Sequence, residues 1–107
     1  MDSEWVLSKQ EELRRTYLEA LLDLGGLLFS EGRHAEAEEA YRRAITQNRY
    51  SEAAHRQLMR SLARQGERGR AISHYEGLVK LLREELGSSP ASESEALYEA
   101  LRKGEEV

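Results

Sequence analysis

Histidine and carboxylate side chains are the groups in this sequence that could carry out catalysis or bind a metal. The three histidines, His34, His55 and His74, include no pair separated by four residues, the spacing at which two imidazoles on one helix share a metal. The chain has no cysteine to complete a set of metal ligands or to form a disulfide. We therefore predict structural or surface roles for the histidines and no metal site.

The glutamates occur in short runs, such as Glu38-Glu39 and Glu84-Glu85, that lie close to arginines along the chain. General acid–base catalysis requires two carboxyl groups in unlike environments, one of them shielded from water. Runs of charge on a helix are more typical of a solvated, ion-paired face. We therefore predict no catalytic residue and no cofactor-binding residue. Gly25-Gly26 lies inside a helical pattern rather than after a strand, so it indicates close helix packing, or a weak point in the helix, and no phosphate-binding loop.

A third pattern consists of Arg56, Arg60 and Arg64, which are spaced four residues apart. Residues at this spacing lie on one face of a helix, so the three guanidinium groups form a positive stripe. Arginine binds carboxylates well because its planar group can donate two parallel hydrogen bonds. The stripe could contact a protein partner, or it could pair with nearby glutamates and pack against a neighbouring domain, and both interpretations remain open.

The composition of the whole chain restricts the classes of partner. With 107 residues it has the length of one domain, and its net charge is −4, from 16 basic and 20 acidic residues. Duplex DNA selects for a basic surface, so an acidic chain is a poor candidate for independent DNA binding. No apolar run reaches the roughly 18 residues needed to cross a bilayer, and the first residues are too polar for a signal peptide. We expect a soluble, cytoplasmic protein without membrane contacts.

The elements that would position these residues follow from an internal repeat. Between residues 18–51 and 52–85, a shift of 34 residues aligns seven identical pairs without a gap. The matched leucines have helical spacing, a glycine follows them, and an alanine and a tyrosine four residues apart come next. The pairs are Ala20/Ala54, Leu24/Leu58, Leu28/Leu62, Gly32/Gly66, Ala37/Ala71, Tyr41/Tyr75 and Arg49/Arg83.

Each unit is predicted to form a helix, a tight turn and a second helix. Gly32 and Gly66 are expected to end the first helices, because glycine readily takes the left-handed conformation found there. Ser51 is predicted as the N-cap of the third helix. The apolar residues predicted to face inward from the first helix are Leu13, Tyr17, Ala20, Leu21, Leu24 and Leu28, and those from the other three helices are Ala37, Tyr41, Ala44, Ile45, Leu58, Met59, Leu62, Ala71, Tyr75, Leu78 and Val79.

A fifth helix is predicted to close the array after Gly87. Pro90 suits a first helical turn, and Ser92 with Glu95 has the spacing of a capping box. Its buried face is predicted to contain Leu97, Tyr98 and Leu101. Such a helix would cover the apolar end that two repeats alone leave exposed.

The glycine, alanine and tyrosine of each unit resemble the tetratricopeptide repeat, and Leu24-Gly25 matches its leucine–glycine pair. Leu58-Met59 departs from that pair, and Arg49 and Arg83 replace the usual proline. The expected fold is all-α, with two tetratricopeptide-like helix-turn-helix units and a C-terminal capping helix. We place the units at about 18–51 and 52–85 and the capping helix at about 90–103, within a single domain spanning 1–107.

A narrower resemblance covers nearly the whole chain. The run AHRQLMRSLARQG, the helix ending in Glu85-Leu86-Gly87, and Pro90 before the Leu97-Tyr98 helix are similar to the bacterial transcriptional activator domain. The opening EWVLSKQEELRRTYLEALLDLG also resembles that domain. The resemblance implies a regulatory module that acts beside a separate winged-helix DNA-binding domain. The implied partners are that domain, a second protomer or the transcription machinery.

In the tetratricopeptide family, the first helix of each unit lines a concave face. That mapping makes Leu22, Phe29, Arg56, Arg60 and Arg64 the candidate partner-binding residues. An alternative is a stand-alone adaptor that holds a peptide in the same groove. Trp5 is expected either to seal the end of the array or to pack on the DNA-binding domain.

Overall fold

A computed structural model describes residues 2–107 of the chain, and these residues form five α-helices and no strand. Each helix packs on its neighbour in the sequence, and the fifth also contacts the third. The predicted all-α, tetratricopeptide-like fold is confirmed. Within the described range, no helix is both long enough and apolar enough to cross a membrane. The helices are α1 (Asp2–Ser30), α2 (His34–Gln47), α3 (Glu52–Arg64), α4 (Arg68–Leu86) and α5 (Ser92–Arg102).

The turns inside the two units have the same geometry. Gly32 and Gly66 have φ angles of 77° and 79°, in the left-handed region that glycine adopts without a steric penalty. The residue after each glycine donates its N–H back over the helix end, from Arg33 to the Leu28 carbonyl and from Glu67 to the Leu62 carbonyl, both at 2.9 Å. This bond satisfies a carbonyl that the helix leaves unpaired, as in a Schellman motif. Both predicted helix ends are confirmed.

Two further helix ends match their predictions. The Ser51 hydroxyl accepts a hydrogen bond from the Ala54 N–H at 3.3 Å and so caps α3. Gly87 ends α4 with a φ of 61°, and its N–H donates to the Arg83 carbonyl at 3.1 Å.

The predicted capping of α5 by Ser92 and Glu95, with Pro90 in the first turn, is wrong. Ala91 is the N-cap and makes no side-chain cap, Ser92 is already helical, and Pro90 precedes the cap. The Glu52 carboxylate of α3 instead accepts hydrogen bonds from the Ala91 N–H and the Ser94 hydroxyl, each at 2.8 Å. An acceptor supplied by another helix makes a local capping box unnecessary.

The core lies where the two helices of each unit cross. Ala37 and Ala71 are fully buried there, and Tyr41 and Tyr75 fill the adjoining space, with 2% and 6% exposure. A Cβ atom on Gly25 would overlap the Tyr41 ring, so the close packing expected at the glycine pair holds for this residue. Gly26 faces open space. In α5, Leu97 and Leu101 are buried, and Tyr98 stacks on Tyr75 with ring centroids 4.4 Å apart.

The predicted inward face of α1 is only partly right. Leu21 and Leu28 are buried, but Leu13, Tyr17 and Leu24 are 68%, 46% and 46% exposed, and Ala20 is also exposed. Length explains the exposure of Leu13 and Tyr17, since α1 has 29 residues and the antiparallel α2 that covers it has only 14, whereas Ala20 and Leu24 lie on a side of α1 that α2 does not cover. The first half of α1 therefore extends past the body of the domain, and residues 3–17 are all exposed.

Candidate functional site

Helices α1, α3 and α5 line one side of the domain, where two adjoining depressions share Gln57. The first has a volume of about 320 Å³ between α1 and α3, and the second about 510 Å³ between α3 and α5. On each helix, residues three and four apart lie on the face that lines a depression. Because both depressions include Gln57, the first helices of the units and the capping helix form one continuous groove. We call this surface the α1/α3/α5 groove.

The first depression is mostly apolar. Leu22 and Phe29 of α1 line it and are half-buried against the core. Gly26 lies one turn from each and leaves room that any side chain would fill. The ring of Phe29 also packs edge-on against His34, with centroids 4.5 Å apart. This end of the groove can therefore accommodate an apolar side chain.

Arg56 belongs to the contact between α3 and α5. Its guanidinium donates to the Ser94 hydroxyl at 3.0 Å and lies 3.8 Å from the Glu93 carboxylate. Only 17% of its side chain is exposed. Because Ser94 also donates to Glu52, the three side chains form one network that fixes α5 on α3. The structural interpretation of this arginine is favoured.

Arg64 lies at the far end of the stripe and is exposed. Its Nε donates to the Val107 carbonyl at 3.2 Å, and its guanidinium carbon lies 5.2 Å from the centre of the Phe29 ring. A cation at this distance from an aromatic face is attracted to the ring. Arg64 therefore links α3 to α1 and to the last residue of the chain.

Arg60 differs from its two neighbours. It lines the second depression, and among the described residues it has none of the hydrogen bonds or ion pairs that hold Arg56 and Arg64. Burial raises the pKa of the Tyr41 hydroxyl, and the positive charge of Arg60 partly opposes this rise. Of the predicted arginines, this is the one that makes no hydrogen bond or ion pair among the described residues.

The structure also pairs two histidines that sequence spacing did not bring together. His55 of α3 lies with Nδ1 2.8 Å from Nε2 of His74 in α4, and its Nε2 is 2.8 Å from the Arg49 carbonyl. The carbonyl can only accept, so His55 donates from Nε2 and accepts at Nδ1 from His74. Burial lowers the pKa of both, that of His74 to about 4, where neighbouring positive charge adds to the effect. The neutral pair packs α3 on α4, and residues 2–107 contain no cluster of three or more metal-ligating side chains.

Sequence reasoning missed the residues that join the two depressions and hold α5. Gln57 lies one position after Arg56, and its type carried no signal. The signal for the Glu52–Ser94 network was the position of Ser94, three residues before Leu97 on the face of α5 that packs inward. A hydroxyl buried there needs a hydrogen-bond partner. Trp5 is 64% exposed and lies in the extending part of α1, so it does not seal the repeat array within this chain.

Comparison with protein families agrees with this architecture. The model of the bacterial transcriptional activator domain family matches residues 1–102, nearly the whole chain. Comparisons with curated proteins and with solved structures find no significant match. The family is defined by a regulatory role in transcription and is not an enzyme family. The chain is therefore a member of the bacterial transcriptional activator domain family, with a role in transcriptional regulation.

Proposed function

We propose that this domain regulates transcription by binding a protein segment in the α1/α3/α5 groove, beside a separate DNA-binding domain. The observation that carries the proposal is the combination of an apolar depression at Leu22 and Phe29 with the guanidinium of Arg60, which makes no hydrogen bond or ion pair among the described residues. The segment belongs to the DNA-binding domain of the same regulator, to a second protomer or to the transcription machinery. DNA itself is not the ligand, because the chain carries a net charge of −4.

The shape of the groove suits an extended segment. Its two depressions adjoin at Gln57, whose amide can both donate to and accept from a peptide backbone. An apolar side chain of the segment would fill the space over Gly26. Burying one such side chain contributes about 1.5–3 kcal/mol, which anchors the segment in one register.

Charge selects the other end of the segment. Arg60 can form a bidentate contact with a carboxylate, and the partly desolvated wall of the groove strengthens that contact relative to open water. The carboxylates of Glu93 and Glu106 also line this depression, so they disfavour a segment with acidic groups along its whole length. The preferred ligand therefore has one apolar anchor and one acidic residue.

The other candidate residues maintain the shape of the groove. Arg56 holds α5 through Ser94, and Arg64 lies over Phe29, so both preorganise the walls. Preorganised walls reduce the ordering cost of binding. Replacing Arg56 should then disturb stability and binding together, whereas replacing Arg60 should affect binding alone.

A random peptide library displayed on phage and selected against the 107-residue chain tests the proposal. We expect the enriched peptides to share an apolar and an acidic residue, and Arg60→Ala to weaken their binding by roughly ten- to a hundredfold, since removing one charge-assisted contact costs about 1.5–3 kcal/mol. Arg83→Ala, an exposed change on α4, is the matched control and should leave binding unchanged. Enrichment of basic peptides, or equal binding to the Arg60→Ala chain, would refute the groove assignment.

A further inference from the structure

Helix α1 carries a second apolar surface that the core does not use. The large hydrophobic residues on this surface are between 42% and 68% exposed, whereas Leu21 and Leu28, on the adjoining side of the helix, are buried. The exposed residues are distributed over almost the full length of the helix, which is more than scattered surface hydrophobics require. They are Trp5, Val6, Leu7, Leu13, Tyr17, Leu24 and Leu27.

The spacing of these residues is that of a coiled-coil seam. Val6, Leu13, Ala20 and Leu27 follow one another at intervals of seven, and Tyr17 and Leu24 give the alternation of four and three residues from Leu13 to Leu27. Gln10 takes the equivalent position between Val6 and Leu13. A seven-residue apolar repeat keeps one narrow stripe facing a partner helix along its length. We call the six residues other than Gln10 the α1 seam.

The extending half of α1 also lacks support within the chain. Residues 3–17 are exposed throughout, because α2 is too short to cover them. An isolated helix of about 15 residues is only marginally stable in water, because nucleation is costly and no tertiary contact offsets it. A second helix along the seam would stabilise this segment.

We propose that the helix lying on the α1 seam is α1 of a second copy of this chain, in antiparallel orientation about a two-fold axis near residue 15. In this register Tyr17 lies opposite the partner's Leu13, and Leu24 opposite the partner's Val6. The two-fold repeats both contacts, which gives four apolar layers, whereas Ala20 lies opposite the partner's Gln10 and Leu27 opposite the partner's Ser3. The extending half of each α1 then lies along the body of the other copy.

The charges beside the seam distinguish the two orientations. Antiparallel pairing places Lys9 opposite the partner's Asp23, and symmetry makes this attraction twice. Parallel pairing would instead place Lys9 beside the partner's Arg14 twice. In the antiparallel dimer the only like-charge contact of this kind is between Arg14 and the partner's Arg14, and it occurs once. It lies at an open depression that Glu11 also lines. The Lys9–Glu12 ion pair within one chain has more than half of each side chain exposed and contributes little that would oppose the exchange.

The antiparallel register also gives Leu7 a place. This residue, 59% exposed in one chain, lies opposite the partner's Leu21, at the edge of a hollow of about 190 Å³. Leu24, Leu28 and Ala40 supply the apolar part of that hollow. The seam lies on the side of α1 away from Leu22 and Phe29, so the dimer leaves the groove open and does not depend on the proposed function.

Sedimentation equilibrium of the 107-residue chain tests the proposal. We expect a concentration-dependent mass approaching twice the 12.3 kDa of one chain, and a monomer after Leu13→Glu. Leu86→Glu is the matched control, because Leu86 is a 52% exposed leucine of α4 outside the seam and its replacement should leave the dimer intact. A chain that stays monomeric at millimolar concentration, or a dimer that Leu13→Glu does not disrupt, overturns the proposal.

Charge reversal tests the orientation. Lys9→Asp and Asp23→Lys should each weaken self-association about tenfold, since each places like charges opposite one another twice. An equimolar mixture of the two variants should restore it, because opposite charges then meet at both positions. If Lys9→Asp instead strengthens dimerisation, the helices are parallel and the proposed register is wrong.

Discussion

The adjacent glycines of α1 give the most direct test of how closely the first helix pair is packed. Both Gly25 and Gly26 lie within the helix, so replacing either with alanine removes the same backbone-entropy penalty, worth about 0.5–1 kcal/mol of stability. Their surroundings differ. A Cβ atom at position 25 would lie closer than 3.0 Å to atoms of the Tyr41 ring, whereas at position 26 it would meet nothing within 4 Å.

These surroundings set the sign of each change. Gly26→Ala should stabilise the domain by about 0.5–1 kcal/mol, because it gains helix propensity without a clash. At position 25 the Tyr41 ring cannot move easily, since it is only 2% exposed and enclosed by the core. Overpacking there costs about 1–3 kcal/mol, which exceeds the propensity gain, so Gly25→Ala should have a net destabilising effect of up to about 2 kcal/mol.

Urea denaturation followed by circular dichroism at 222 nm measures both free energies of unfolding. The difference between the free energies of unfolding of the two variants is the most informative value. The gain in helix propensity cancels in it, and the cost of overpacking, about 1–3 kcal/mol, remains. In thermal melts this corresponds to roughly 4 °C or more between the two midpoints. If Gly25→Ala were as stable as Gly26→Ala, α1 and α2 would not pack closely at Tyr41 and the reasoning would fail.

Two further outcomes follow from buried groups. Ala71→Leu, and equally Ala37→Leu, should destabilise the domain by about 1–3 kcal/mol because both alanines are fully buried where paired helices cross, and unchanged thermal melts would contradict that placement. The lowered pKa values of His55 and His74 mean that the unfolded chain binds more protons than the folded one, so their contribution to stability is complete above about pH 6.5 and is lost as the pH falls through about 4. His74→Gln should flatten the pH dependence of the free energy of unfolding over that interval, and a variant with the original slope would show that the pair does not titrate in this way.

The elements that sequence alone determined are those governed by local chemistry. The 34-residue repeat specified the helix pairs, because leucines at helical spacing and a glycine that accepts a positive φ act within one or two turns of chain. Gly32 and Gly66 end their helices with the same geometry, and Ser51 caps α3 three residues from its donor. The alanines at the crossings were identified for the same reason, since small residues recur where helices approach.

Contacts between residues distant in the chain could be decided only by the tertiary structure. Glu52 caps α5 across 39 residues, and local spacing had instead indicated a capping box at Ser92. The side of α1 that is buried depended on the length and placement of α2, so Leu13 and Tyr17 are exposed although their spacing is that of a core face. Likewise, three arginines with identical spacing have different roles because their surroundings differ: Ser94 holds Arg56, Phe29 and Val107 hold Arg64, and Arg60 lines the groove without a hydrogen bond or ion pair among the described residues. Helical periodicity places side chains on a face, but the packing of other helices decides what that face contacts.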